Sequence, residues 1–188
     1  MGVFGAYGKM PGLGDFFRID ASPAFVAPWD VWLQTCLRDG REAMGTQWQE
    51  AYLSAPIWRF SLEAGIAGPR SVAGVLMPSV DRVGRMFPLT LVGSAARVSA
   101  RVFAQLEDVA LAALEDGMTR DALRQALDDI AETAPPSDQT ADNSWQAVLA
   151  DRTLEMTTPG LPAGLDALKL FDMALWPDAQ KLSQQAGS

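Results

Sequence analysis

Apolar residues along this chain switch between a period of two and a period near 3.6, and the switches lay out the elements. Residues 3–7 form a short apolar run ending at Gly8, which predicts a buried first strand. Over residues 57–62, Ile57, Arg59 and Ser61 share one face and Trp58, Phe60 and Leu62 the other, the signature of a half-buried strand. Residues 72–77 and 88–92 predict two more strands. Between the first and the second, Phe25, Trp29, Trp32, Leu33, Cys36 and Leu37 recur at helical spacing, with Ser22 as N-cap, Pro23 at the first helical position and Gly40 as C-cap. Pro28 inside that span predicts a kink or a separated first turn.

Downstream, a short helix is expected over residues 46–53 and long helices over 100–116 and 119–130, with Gly117 ending one and Thr119 capping the other. Val102, Leu106, Val109 and Ala113 would pack with Leu123, Leu127 and Ile130. Residues 133–143, polar around Pro135-Pro136, read as a flexible surface connection. A short helix over 144–150, a strand over 153–157 and a helix over 164–175 follow, and residues 181–188 read as a frayed tail. Early strands and later helices predict a sheet between helices in one α/β domain.

Composition then removes function classes. The chain has no histidine and one cysteine, Cys36, so the usual zinc, copper and non-haem iron ligand sets are missing, as is the imidazole of Ser-His-Asp or Cys-His catalysis. No motif calls for a cofactor or a metal. One cysteine forms no internal disulfide, and Gly2-Val3-Phe4 lacks a basic leader, so a reducing cytoplasm is the expected location. Apolar runs are broken by Pro78, Pro88 or charges before reaching membrane-spanning length, so no membrane insertion is expected. A net charge of -8 disfavours a nucleic-acid partner. Nothing in these patterns sets an oligomeric state.

The remaining chemistry concentrates in two loops. Gly8-Lys9-Met10-Pro11-Gly12-Leu13-Gly14-Asp15-Phe16-Phe17-Arg18 follows the first strand, and Met77-Pro78-Ser79-Val80-Asp81-Arg82-Val83-Gly84-Arg85-Met86-Phe87-Pro88 joins two strands. Each sets charges among turn-forming glycines and prolines. A phosphate-binding loop fails on spacing, because Val3 stands where glycine is required and Met10 follows the lysine. The run from Gly12 to Phe17 likewise ends in phenylalanine where a dinucleotide fingerprint needs glycine or alanine. Asp15, Asp30 and Asp81 are the carboxylates nearest the shaped loops, and a pair of them, Asp15 with Asp81 above all, could divide acid and base roles in a hydrolase. Alternatively Asp15 accepts loop amides, and Asp81 pairs with Arg82, Arg85 or Arg59 as a structural fastening. Lys9, Arg18, Arg59, Arg82 and Arg85 could form a cationic spot for an acidic or phosphorylated partner segment. Equally, Asp15, Asp20, Asp81 and Glu63 could consume them internally. Trp29, Trp32 and Trp58 fit core faces, while Trp48, Trp145 and Trp176 are less constrained.

Three ordered blocks carry a family resemblance: Gly8, Lys9, Pro11, Gly14, Asp15 and Phe16; then Trp29, Asp30, Trp32, Leu33 and Gln34; then Gly74, Val75, Pro78, Ser79, Asp81, Gly84, Arg85, Phe87, Pro88 and Leu89. Together they resemble the TagF family, accessory proteins of bacterial type VI secretion. The resemblance extends to about Val92, with departures at Val72-Ala73 and Met86. It implies a single TagF-like domain over residues 1–180, built as a three-layer α/β/α sandwich with a mixed sheet. It also implies a cytoplasmic, non-enzymatic repressor of type VI secretion acting after translation, with a forkhead-associated-domain component of the apparatus as its partner. Lys9, Pro11, Gly14, Asp15, Arg18, Ser79, Asp81, Arg82, Gly84 and Arg85 are then the expected interaction and signature-loop residues. A carboxylate-dependent hydrolase and a passive structural adaptor are the competing readings.

Overall fold

Seven segments whose side chains alternate across the backbone hydrogen-bond into one sheet. The structure is a computed structural model, and it describes residues 2–136 and 140–177. The strands are β1 (Phe4–Gly8), β2 (Phe17–Ile19), β3 (Trp58–Leu62), β4 (Val72–Met77), β5 (Leu89–Ser94), β6 (Ser144–Val148) and β7 (Thr153–Thr157), in the spatial order β2-β1-β5-β4-β3-β6-β7. Every neighbouring pair is antiparallel, which corrects the mixed sheet expected from the sequence. Parallel neighbours need a crossover connection between them. Here the helices instead lie between strands that are not paired in parallel, and direct turns join β3 to β4, β4 to β5 and β6 to β7.

The alternation feeds two apolar clusters. Tyr7, Trp58, Phe60, Leu62, Leu76, Val92 and Trp145 join α1 (Pro23–Met44), α2 (Trp48–Ser54) and α5 (Leu165–Lys169) in the first. Phe4, Ala6, Phe17, Ile19, Val75, Leu89 and Leu91 join α3 (Ala100–Ala112) and α4 (Arg120–Thr133) in the second. Consecutive strand residues such as Val75 and Leu76 therefore belong to different clusters, as a two-residue side-chain period requires.

Helix α1 starts as its sequence predicts: the Ser22 hydroxyl accepts the Phe25 N–H at 3.2 Å, with Pro23 at the first helical position. It runs unbroken through Pro28 to Met44, and Gly45, not Gly40, caps it with φ 55°. Gly40 serves packing instead, since a β-carbon there would lie 2.2 Å from Cζ3 of Trp48. Trp48 and Trp145 prove to be core residues, while Trp176 is half-buried. The expected helix over 144–150 is strand β6, because Trp145 and Ala147 point inward and Ser144 and Gln146 do not. The expected helix over 164–175 is the short α5 followed by a separate 3-10 turn, Met173–Leu175. Within 133–143, Ala134 and Asn143 are buried, residues 137–139 lie outside the described residues, and so does the expected tail over 181–188.

Candidate functional site

Sheet order brings the two charged loops together. Tyr7 of β1 lies opposite Thr90 of β5, and Met77 of β4 lies opposite Leu89, so β1 ends where β4 ends and β5 begins. The loop leaving β1 and the loop from β4 to β5 must emerge side by side. Gly8 makes the closest approach: its φ is +132°, and a β-carbon on it would lie 2.0 Å from the Pro88 carbonyl oxygen.

Asp81 joins the two loops. Its Oδ2 accepts the Lys9 ammonium at 2.9 Å and the Arg85 Nε–H at 2.6 Å. Its Oδ1 accepts the backbone N–H groups of Val83 at 3.1 Å and Arg85 at 2.9 Å. The carboxylate is thus used on both oxygens, and its side chain is 0% exposed. Lys9 is also buried, at 6%. The loops are further stitched through backbone carbonyls. Arg82 donates from its amide to Leu13 O at 2.9 Å and from Nη2 to Gly12 O at 2.7 Å, and Arg85 Nη2 donates to Gly14 O at 2.8 Å. Gly84, with φ 82°, makes the turn that lets Asp81 reach the amides two and four residues ahead.

Burial opposes ionisation of Asp81. The hydrogen bonds from Lys9, from the Arg85 amide and guanidinium and from the Val83 amide outweigh it and hold the carboxyl well below the usual carboxylate range. A carboxyl depressed in this way stabilises the folded state above the unfolded pKa, roughly 4, and that contribution is lost as pH falls below it. Chemical denaturation across this acid range should show Asp81→Asn losing less stability on acidification than the parent, from a lower starting point. Parallel acid limbs for the two proteins would contradict the assignment.

An aromatic group supports the ion cluster and recruits the middle sequence block. The Tyr7 hydroxyl donates to Asp30 Oδ1 at 2.5 Å, and Gln34 Nε2 donates to Asp30 Oδ2 at 2.6 Å. Burial first, and then Asp30, push the Tyr7 hydroxyl far above the ordinary phenol range, so it remains a donor. The Tyr7 ring stacks on Phe16 at 6.3 Å and meets Phe87 edge-on at 5.9 Å, while Phe16 and Phe87 are 4.7 Å apart. Lys9 Nζ lies 4.8 Å from the Phe16 ring centroid. From α2, Tyr52 donates to the Ser79 carbonyl at 2.8 Å and accepts its N–H at 3.0 Å.

Of the residues singled out in sequence, Lys9, Asp81 and Arg85 converge directly, with Arg82 and Gly14 tied in through backbone carbonyls. Ser79 is buried below them, and its hydroxyl has no hydrogen-bond partner among the described residues. Pro11 is half-buried in the first loop. Asp15 faces outward and accepts the Phe16 N–H at 2.8 Å. Arg18 is exposed on β2, its carbonyl accepting Arg120 Nη2 at 2.6 Å. Arg59 does not reach Asp81; it forms a forked pair with Glu107 of α3 at 2.7 and 2.8 Å. Glu63 binds Asn143 rather than an arginine. Sequence reasoning missed the supporting roles of Tyr7 and Tyr52, named Asp30 as a carboxylate near the loops without its bond to Tyr7, and listed Phe16, Gln34 and Phe87 without placing them at the site. The available signal was the i, i+4 spacing of Asp30 and Gln34.

Among the described residues, no three or more Cys, Asp or Glu cluster as a metal site. A cleft of about 690 Å³ lies elsewhere, over β3, β6 and β7, lined by Arg59, Ser61, Phe103, Asp142, Gln146 and Glu155 among others. No helix among them is long and apolar enough to cross a membrane.

Residues 5–130, which carry all three blocks, match the family described as the TagF N-terminal domain, type VI secretion system-associated. The chain belongs to this family. The crystal structure of PA0076 from Pseudomonas aeruginosa PAO1 is similar at a TM-score of 0.74 and 27% identity, covering 90% of this chain and 94% of that one. No curated protein sequence matches significantly. Membership extends the likeness well past Val92, through α3 and most of α4.

Proposed function

We propose that this TagF-family chain is a cytoplasmic, non-enzymatic repressor of type VI secretion that acts after translation by binding a forkhead-associated-domain component of the apparatus. The observation that carries the reading is how Asp81 is used. Its two oxygens receive four donors, which makes it the pin of a composite surface rather than a base with a lone pair to offer a substrate. Asp15, its supposed partner in a hydrolase, is exposed and bonded to the next residue's amide. The two apolar clusters favour reading the architecture as a three-layer α/β/α sandwich with the loop surface at one end of its sheet.

Size-exclusion chromatography of this chain with the forkhead-associated-domain protein of the same secretion cluster should give a co-eluting complex. Deleting the chain's gene should raise secretion. Two separate peaks would count against the proposed partner, and lowered secretion would favour the scaffold reading.

A further inference from the structure

The half-exposed aromatic of the first loop stands apart from the other apolar surface residues. Strand alternation turns Phe17 inward at 6% exposure and leaves Phe16 outside at 47%. A single exposed apolar side chain is ordinary. Phe16, however, is immobilised against Tyr7 and Phe87 and lies over the buried Lys9 ammonium, so presenting its ring to a partner costs little conformational entropy. Aromatic side chains held in this way are the usual anchors of protein interfaces.

Charge in the two loops around it is cationic in excess. Residues 9–18 and 78–88 hold four cations, Lys9, Arg18, Arg82 and Arg85, against two carboxylates, Asp15 and Asp81, in a chain whose net charge is -8. Arg82 and Arg85 are exposed, the latter at 58% of its side chain. Each is oriented by a backbone carbonyl of the loop that carries Phe16: Gly12 O for Arg82, Gly14 O for Arg85. The Nε and Nη1 groups of Arg82 and the Nη1 of Arg85 make no hydrogen bond among the described residues. Guanidinium groups fixed on one edge and open on the other suit carboxylates.

We infer that Phe16 anchors the docked partner and that Arg82 and Arg85 pair with carboxylates of an acidic partner segment bearing an apolar side chain that covers the ring. The inference rests on the binding role proposed above and names the chemistry of that contact. A partner approaching through an acidic segment meets repulsion from the acidic remainder of the chain, so the contact depends on this local patch and weakens as salt rises.

The test is titration calorimetry of the full chain with the full-length forkhead-associated-domain protein of the same cluster, beside melting curves for every variant. Phe16→Ala and Arg82→Glu should each weaken binding by about 30-fold or more while still melting cooperatively well above the assay temperature, whereas Phe16→Leu, which keeps an apolar cover, should stay within about threefold. Raised salt should weaken the parent more than Arg82→Glu. Unchanged affinity in Phe16→Ala and Arg82→Glu, with the parent binding, would overturn this inference and leave the proposed function standing. No binding by the parent would remove the function and this inference together. Loss of binding after phosphatase treatment of the partner would replace the carboxylate with phosphate and overturn that part of the assignment.

Discussion

Replacing Gly8 by alanine is expected to cost the fold more than about 3 kcal/mol, lowering the melting temperature by roughly 10 °C and separating the two loops. Two effects add at this position. A φ of +132° disfavours any residue with a β-carbon, and that carbon would lie 2.0 Å from the Pro88 carbonyl oxygen, a backbone atom that no rotamer change can move aside. Relief requires β1 to move away from the segment leading into β5. Lys9 follows Gly8 and would be drawn from Asp81, so the damage reaches the ion cluster as well as the sheet. Alanine at Gly14 or Gly117, where an added β-carbon meets nothing within 4 Å, is the matched control. Circular dichroism melts of the three variants decide the matter; a Gly8→Ala protein melting with its parent would show the close approach to be unimportant.

Trp29→Ala is expected to cost about 4 kcal/mol, within the usual range for deleting a fully buried large aromatic. Trp29 is 0% exposed and packs on Phe25, Trp32, Phe60 and Trp145, with centroid distances from 4.6 to 6.1 Å. Its indole N–H also donates to the buried Thr90 hydroxyl at 2.8 Å. Trp29→Phe separates the two contributions: most of the ring contact survives, while Thr90 loses its donor at a cost of about 1–2 kcal/mol. Urea unfolding of the pair should rank Ala well below Phe and Phe below the parent. If Phe proves as damaging as Ala, the hydrogen bond rather than the packing dominates.

What was legible in the sequence was local. The Ser22-Pro23 start of α1, the alternation of β3 and the apolar stripes of α3 and α4 each rest on short-range chemistry, and each stands in the structure. The stretch expected as a helix over 144–150 misled because its first five residues, Ser144 to Val148, fit either period; only pairing with β3 and β7 makes them a strand. Gly40 looked like a cap because the wall it packs on, Trp48, belongs to the next helix. That the paired strands among the described residues all run antiparallel depends on strand order and direction, which no local pattern records. At the site, the two loops announced themselves through composition and family motif. That Lys9 rather than Arg59 meets Asp81 depends on β1 lying beside β5 and on Glu107 reaching Arg59 from α3.

The pairing of β1 with β5 also bears on when this surface comes into being. Lys9 and Asp81 are 72 positions apart in the chain, and no hairpin leads from β1 to its central neighbour; that neighbour is the last strand of the β3-β4-β5 meander. During synthesis the first loop leaves the ribosome long before its counterpart exists, and β1 waits with one edge open until residues 89–94 arrive. Closing so long a loop is slow relative to forming α1 or the meander. The Lys9–Asp81 contact is therefore expected to close after α1 and the meander have formed, and a chain that ends before residues 89–94 lacks the strand that brings the two loops together. Any partner that reads this surface also reads the docking of β1 onto the meander.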